Sequence, residues 1–263
     1  MGKKLEGGLN HRRLNAGRVE QLHYGGWQLS LPPGMEGEYR LAQLDDYLQS
    51  PHRHFSFQPP FFLGLRAKIS HTSIPGTWGF GFWNDPFVMG LGLPGSCFRL
   101  PALPNAAWFF HASDENYLSF RDDLPANGML AAVFSAPLIP SIFSLAALPF
   151  APLLFLTPTA RMLRRWATSI VKEDSSQIEL DWTTWHQFEL EAELHRILFR
   201  VDGDVCMETK IIPRGRLGFV CWIDNQFLAL DPDEKFRFGA LQSDTTICLE
   251  ITDLIFRKEQ PGS

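Results

Sequence analysis

From Trp27 onward the chain is a succession of short apolar runs, each closed by glycine, proline or a polar pair. Examples are FFLGLRAKI at 61–69, GFGFW at 79–83, WFFH at 108–111, YLSF at 117–120 and MLAAVF at 129–134. Further runs are WHQFELEAE at 185–193 and those at 197–201, 205–212, 217–222 and 247–257. Runs of this length bounded by turn residues are strand signals. In Phe188-Glu-Leu-Glu-Ala-Glu-Leu194 the acids fall on one face and the apolar residues on the other, as in a half-buried strand. Asp202-Gly203 between two such runs predicts a hairpin, because that pair accepts the positive φ angles of a type I′ turn. Many short strands with this punctuation predict an all-β sandwich or barrel. A chain of 263 residues suits one such unit. The predicted organisation is a polar, basic, glycine-rich lead-in over 1–23, one β-sandwich over 24–258 and a tail over 259–263.

One stretch breaks the pattern. No charge appears between Asp123 and Arg161, and the segment contains Pro137, Pro140, Pro149 and Pro152. Its apolar length rivals the roughly 20 residues of a membrane span. Each interior proline removes a helical hydrogen bond at a cost of about 3 kcal/mol, which argues against one continuous helix. Thr157-Pro158 predicts a helix start, with Thr as N-cap and Pro in the first turn. The helix that follows is basic and amphipathic: Met162, Trp166 and Ile170 share a face, with Arg161, Arg164, Arg165 and Lys172 elsewhere. The fold class is thus a sandwich with an inserted hydrophobic, partly helical segment at about 135–172. Three roles compete for the insertion: a buried part of the core, a lid over a hydrophobic cavity, or a membrane-surface element anchored by Arg161, Arg164, Arg165 and Trp166.

Two motifs support a comparison with a known family. Pro75-Gly-Thr-Trp78-Gly-Phe-Gly-Phe-Trp83 resembles the family-16 glycoside hydrolase strand that reads like PGxWPAFW. The stretch from Trp185 to Gly203 is similar to that family's strand pair ending in V-D-G. The resemblance implies a concanavalin A-like jelly roll whose concave sheet faces its ligand. The family's catalytic E-x-D-x-x-E strand has no counterpart here. Where it should lie the chain reads WFFHASDENY, with Asp114 and Glu115 adjacent. Neighbouring residues of a strand point to opposite faces, so a turn suits this pair better than a catalytic strand.

Candidate site residues come from two strand ends, Phe82-Trp83-Asn84-Asp85-Pro86 and Trp222-Ile-Asp224-Asn225-Gln226. An indole beside carboxylate and amide groups suits a sugar or polar-headed ligand, with Trp83 and Trp222 as stacking surfaces. Asn84, Asn225 and Gln226 are the polar contacts in this reading. The same residues are also ordinary turn chemistry, and the ligand reading gains if both motifs open onto one face. Asp85, His111 and Asp224 are the candidate proton carriers.

A net charge of −5 lacks the basic footprint of a nucleic-acid binder. Cys97, Cys206, Cys221 and Cys248 have no C-x-x-C spacing, and His52 and His54 lack a third ligand nearby, so no metal and no cofactor is expected. The N-terminus has basic residues without an apolar stretch behind them, which predicts a cytoplasmic protein, with membrane association through the basic helix as an alternative. The expected function is non-hydrolytic binding of a hydrophobic or amphipathic small molecule or glycan in the cleft. Two alternatives are an acid/base cyclase or isomerase acting on a hydrophobic intermediate, and a diverged glycoside hydrolase.

Overall fold

The computed structural model describes residues 8–86, 97–139, 157–229 and 236–258, with helix side chains from Arg164 on. In chain order the strands are β1 (Asn10–Leu14), β2 (Arg18–Gln21), β3 (Trp27–Leu31), β4 (Leu41–Asp45), β5 (Phe61–Ile69), β6 (Thr77–Trp83), β7 (Ala106–Ala112) and β8 (Gly128–Ser135). A helix, α1 (Thr157–Ile170), leads into β9 (Lys172–Gln177). The remaining strands are β10 (His186–Ala192), β11 (Ile197–Val201), β12 (Asp204–Thr209), β13 (Gly218–Asp224), β14 (Gln226–Ala229), β15 (Arg237–Ala240) and β16 (Ile247–Lys258).

They form a jelly-roll sandwich of two seven-stranded antiparallel sheets. The first sheet runs β1-β4-β13-β6-β7-β8-β9 and the second β12-β11-β10-β5-β16-β3-β2, with β14 and β15 as a separate ribbon. The core between the sheets is built by period-two alternation. Trp78, Phe80 and Phe82 point inward from β6, and Phe188, Leu190 and Ala192 from β10, while Gln187 and the acids Glu189 and Glu191 lie on the other face of β10. Phe80 and Phe109 meet Phe188 across the sheets at 4.9 and 5.1 Å between ring centroids, and Phe109 meets Phe199 at 5.0 Å. Edge-on contacts of this kind add to the area that each ring buries.

The Asp202-Gly203 turn joins β11 to β12 with φ of 52° and 89°, the left-handed angles that this pair accepts. Asp202 also holds the far end of β10, accepting hydrogen bonds from the backbone N–H of Gln187 (2.8 Å) and pairing with His186 Nδ1 (2.6 Å).

The N-terminal stretch departs from its predicted role. Residues 10–14 pair with β4 and residues 18–21 pair with β3, so part of the expected lead-in supplies an edge strand to each sheet. Edge strands are rich in charge because one side of the ladder faces outward, and that composition conceals them in the sequence.

Of the apolar insertion, residues 140–156 lie outside the described residues. The helix predicted from Thr157-Pro158 is present. Its docking corrects one expectation: Arg164 points inward rather than toward a membrane surface. The Arg164 guanidinium donates to the Ser119 carbonyl (2.6 Å), pairs with Asp122 (2.5 Å) and lies 5.0 Å over the Tyr117 ring. Arg165 and Trp166 are exposed, and the side chain of Arg161 lies outside the described residues. Among the described residues no helix is long and apolar enough to cross a membrane.

Phe109 touches rings from both sheets, so Phe109→Ala should lower the unfolding free energy by about 3–5 kcal/mol. Urea titration checks this, and a loss under 1 kcal/mol would contradict the packing described.

Candidate functional site

The first sheet carries apolar side chains on both faces. Its outer face carries a second apolar cluster, including Trp83, Phe110, Leu130, Phe134, Val171 and Val220. Cross-strand register defines this face. Asn10, Asp45, Val220, Gly81, Trp108 and Ala132 form one row. Arg12, Gln43, Trp222, Gly79, Phe110 and Leu130 form the next. Trp83 and Asp224 belong to the same face at opposite ends of it, aligned with Gly218 and Thr77 respectively.

Glycine makes the site. A Cβ on Gly81 would stand 2.5 Å from the Trp108 Cα and Cβ, and one on Gly79 would stand 2.7 Å from the Phe110 Cβ. With both positions bare, three indoles gather beside β6. Trp83 and Trp222 are stacked at 6.4 Å and 7° between planes, and Trp108 lies 5.7 Å from Trp83 and 5.5 Å from Trp222. The two strand-end tryptophans of the sequence therefore share one face, and Trp108, read there only as part of a strand, joins them.

Hydrogen bonds fix two of the rings. Trp83 Nε1 donates to the Tyr47 hydroxyl (2.6 Å), and Trp222 Nε1 donates to the Thr77 hydroxyl (2.8 Å). The Thr77 hydroxyl in turn donates to Asp224 (2.7 Å), which also accepts from the Tyr39 hydroxyl (3.2 Å). Burial raises the Asp224 carboxyl to about 6. On the same face, Asp45 accepts from Gln43 Nε2 (2.9 Å), Asn10 Nδ2 (3.1 Å) and the backbone N–H groups of Tyr47 and Leu48. On this face, among the described residues, the Trp108 indole N–H and the whole Arg12 guanidinium, whose three nitrogens are all buried, have no partner.

The three candidate proton carriers do not converge. Asp224 sits opposite Thr77 at one end of β6, and Asp85 lies beyond Trp83 at the other. The six steps from Thr77 to Trp83 alone span roughly 20 Å at about 3.4 Å per residue. Asp85 is fully buried in an ion pair with Arg99 (2.6 Å), whose guanidinium also donates to the carbonyls of Tyr47, Leu48 and Ser50. A carboxylate held in this way anchors loops, which corrects its assignment as a proton carrier. His111 aligns with Trp78 and stacks on it at 6.1 Å, on the opposite side of the sheet from the indoles. Burial pushes its pKa down to about 4, which leaves the ring neutral at ordinary pH.

The candidate amides are also engaged. Asn84 donates to the Leu103 carbonyl and accepts from the Asn105 N–H. Asn225 accepts from the Arg40 N–H and donates to the carbonyls of Glu38 and Leu241. Gln226 is half-buried and opens β14. Asp114 and Glu115 occupy an exposed turn after β7. Among the described residues no cluster of three metal-ligating side chains occurs.

No protein-family model matches the chain, and no curated protein does. Among solved structures it is similar to a β-glucanase of Bacillus licheniformis, with 8% identity over 97% of this chain and 100% of that one and a TM-score of 0.48. A legume lectin-like domain from Entamoeba histolytica shares 10% identity over 96% of this chain and 91% of its own, with a TM-score of 0.47. A glycoside hydrolase family protein from Mycobacterium thermorestibile shares 11% identity over 89% and 76%, with a TM-score of 0.45.

The raised Asp224 carboxyl has a definite sign. Between about pH 4 and 6 the folded chain holds a proton that the unfolded chain has released, so this group makes stability fall as pH rises through that window. Asp46, also raised to about 6 by burial, acts in the same direction. Asp224→Asn should reduce the slope of stability against pH without abolishing it. Denaturation at pH 4, 5, 6 and 7 measures this, and an unchanged slope would contradict the assignment.

Proposed function

We propose that this chain is a non-hydrolytic binding protein that holds a glycan, or a molecule of similar amphipathic character, on the outer face of its first sheet. The observation that carries this reading is the indole cluster of Trp83, Trp108 and Trp222, bordered by Thr77, Asp224 and Tyr39. Flat apolar rings beside hydroxyl and carboxylate groups match the two-sided chemistry of a sugar, whose C–H face stacks while its hydroxyls bond.

Among the described carboxyls of this face, spacing disfavours hydrolysis. A retaining mechanism needs two carboxyls about 5–5.5 Å apart, and an inverting one about 6.5–9.5 Å. Asp45 aligns with Val220, four residues along β13 from Asp224, a step of roughly 14 Å. Glu173, on β9, is four strands from β13, roughly 19 Å away, and accepts from Ser119 and from the N–H groups of Phe120 and Arg121.

A second reading rests on Asp224. A buried carboxyl near 6 has the proton affinity of a general acid or base, as a cyclase or isomerase would require. It differs from the first in needing turnover, and Asp224→Asn would abolish that turnover.

Calorimetric titration against an oligosaccharide selected from a glycan array tests the binding reading. Trp222→Ala should weaken affinity about tenfold or more, the scale of a central aromatic contact. Trp185→Ala, a residue on the other sheet beside Arg66 and Lys68, should leave it unchanged. Equal losses from both variants, or release of reducing ends from the bound sugar, would remove the reading.

A further inference from the structure

Among the described residues, Arg12 is the charged side chain of the outer face that is buried without a partner. It is 2% exposed, yet Nε, Nη1 and Nη2 all lack a hydrogen-bond partner. Burying a cation without a partner costs several kcal/mol, and proteins avoid it unless something else compensates. The other buried arginines follow that rule. Arg99 pairs with Asp85, Arg164 pairs with Asp122, and Arg40 donates to the carbonyls of Pro32, Gly34 and Leu241.

Neither nearby acid takes a hydrogen bond from Arg12. The oxygens of Asp45 are taken by Asn10, Gln43 and two backbone N–H groups, and those of Asp224 by Thr77 and Tyr39. Position is the second observation. β1 places Arg12 in one cross-strand row with Gln43 and Trp222. Its charge reaches the hydroxyls of both Tyr39 and Tyr47, the partners of Asp224 and Trp83. The other unpartnered group on this face, the Trp108 indole N–H, is likewise a donor. The carboxylates of this face, Asp45 and Asp224, accept from other donors, and neither takes a bond from Arg12 or Trp108.

We propose that Arg12 recognises an anionic group on the ligand, a carboxylate or a sulfate, so that the sugar bound here is acidic rather than neutral. This rests on the glycan reading above and specifies its ligand class. A guanidinium presents parallel N–H groups that match the oxygens of either anion, and the Trp108 N–H adds a donor to the same ligand. The pairing would supply the compensation that the free chain lacks.

The test uses the full chain on an array carrying uronate, sulfated and neutral oligosaccharides, with Arg12→Gln and Arg12→Met beside it. Binding confined to acidic sugars, weakened about 30-fold or more in both variants, supports the proposal. The uronate and sulfate arms tell which anion is recognised. Neutral sugars bound equally well by wild type and Arg12→Gln would overturn the proposal and leave the glycan reading standing. No binding to any sugar would overturn both. Thermal unfolding of the free protein adds a readout that a structural arginine would not give. Arg12→Met should raise Tm by removing an uncompensated charge, whereas a fall of several degrees would show Arg12 bonded within the fold and overturn the proposal.

Discussion

Strand β6 sets the conditions for everything else. Trp78, Phe80 and Phe82 drive into the space between the sheets, and the alternate positions Gly79 and Gly81 carry no side chain. Both sides of the strand are therefore committed at once. The inner side supplies core, and the outer side is left low enough for Trp108 and Phe110 of β7 to lean across it. A side chain at either glycine would collide with the neighbouring strand, and the indole cluster would lose its floor. The alternation that stabilises the sandwich thus also shapes the candidate site.

The polar groups on that face and at the strand ends beside it divide into those the fold consumes and those it leaves. Asp85, Asn84 and Asn225 resemble ligand contacts in sequence, but in space they tie loops to strand ends. Breaking a buried pair such as Asp85–Arg99 costs about 3–5 kcal/mol, which is reason enough for a structural role. Asp224 holds Thr77 and through it Trp222, so it orients one of the rings. After these bonds are counted, the groups without partners on the face, among the described residues, are donors, on Arg12 and Trp108. An aromatic surface with unpaired donors is suited to an acceptor-rich, negatively charged ligand.

Much of the architecture was legible in the sequence, because strand burial leaves a local record. The runs at 61–69, 79–83 and 129–134 lie within β5, β6 and β8, and the Asp202-Gly203 turn joins β11 to β12 as its φ preferences require. The helix start at Thr157-Pro158 was equally local. The edge strands β1 and β2 were concealed, since their charges resemble those of a polar lead-in. The site was half legible. Trp83 and Trp222 stood out because each ends a strand beside an acid and an amide. Trp108 stood out only as an apolar strand residue, and Arg12 as one of several basic residues. Their meaning depends on register across strands distant in sequence, which no local pattern records. The dispersal of Asp85, His111 and Asp224 over two faces and both ends of β6 has the same origin.

A ligand bound as proposed meets the first sheet at its indole cluster. Each tryptophan has one indole N–H, so a two-dimensional nitrogen–proton spectrum resolves the sites individually once they are assigned by substitution. Titration with an acidic oligosaccharide should shift the signals of Trp83, Trp108 and Trp222, with the unpartnered Trp108 N–H moving most. The signals of Trp182 and Trp185, which belong to the other side of the sandwich, should stay in place. Shifts concentrated at Trp185 or Trp182, with the three clustered indoles unmoved, would contradict binding at this face.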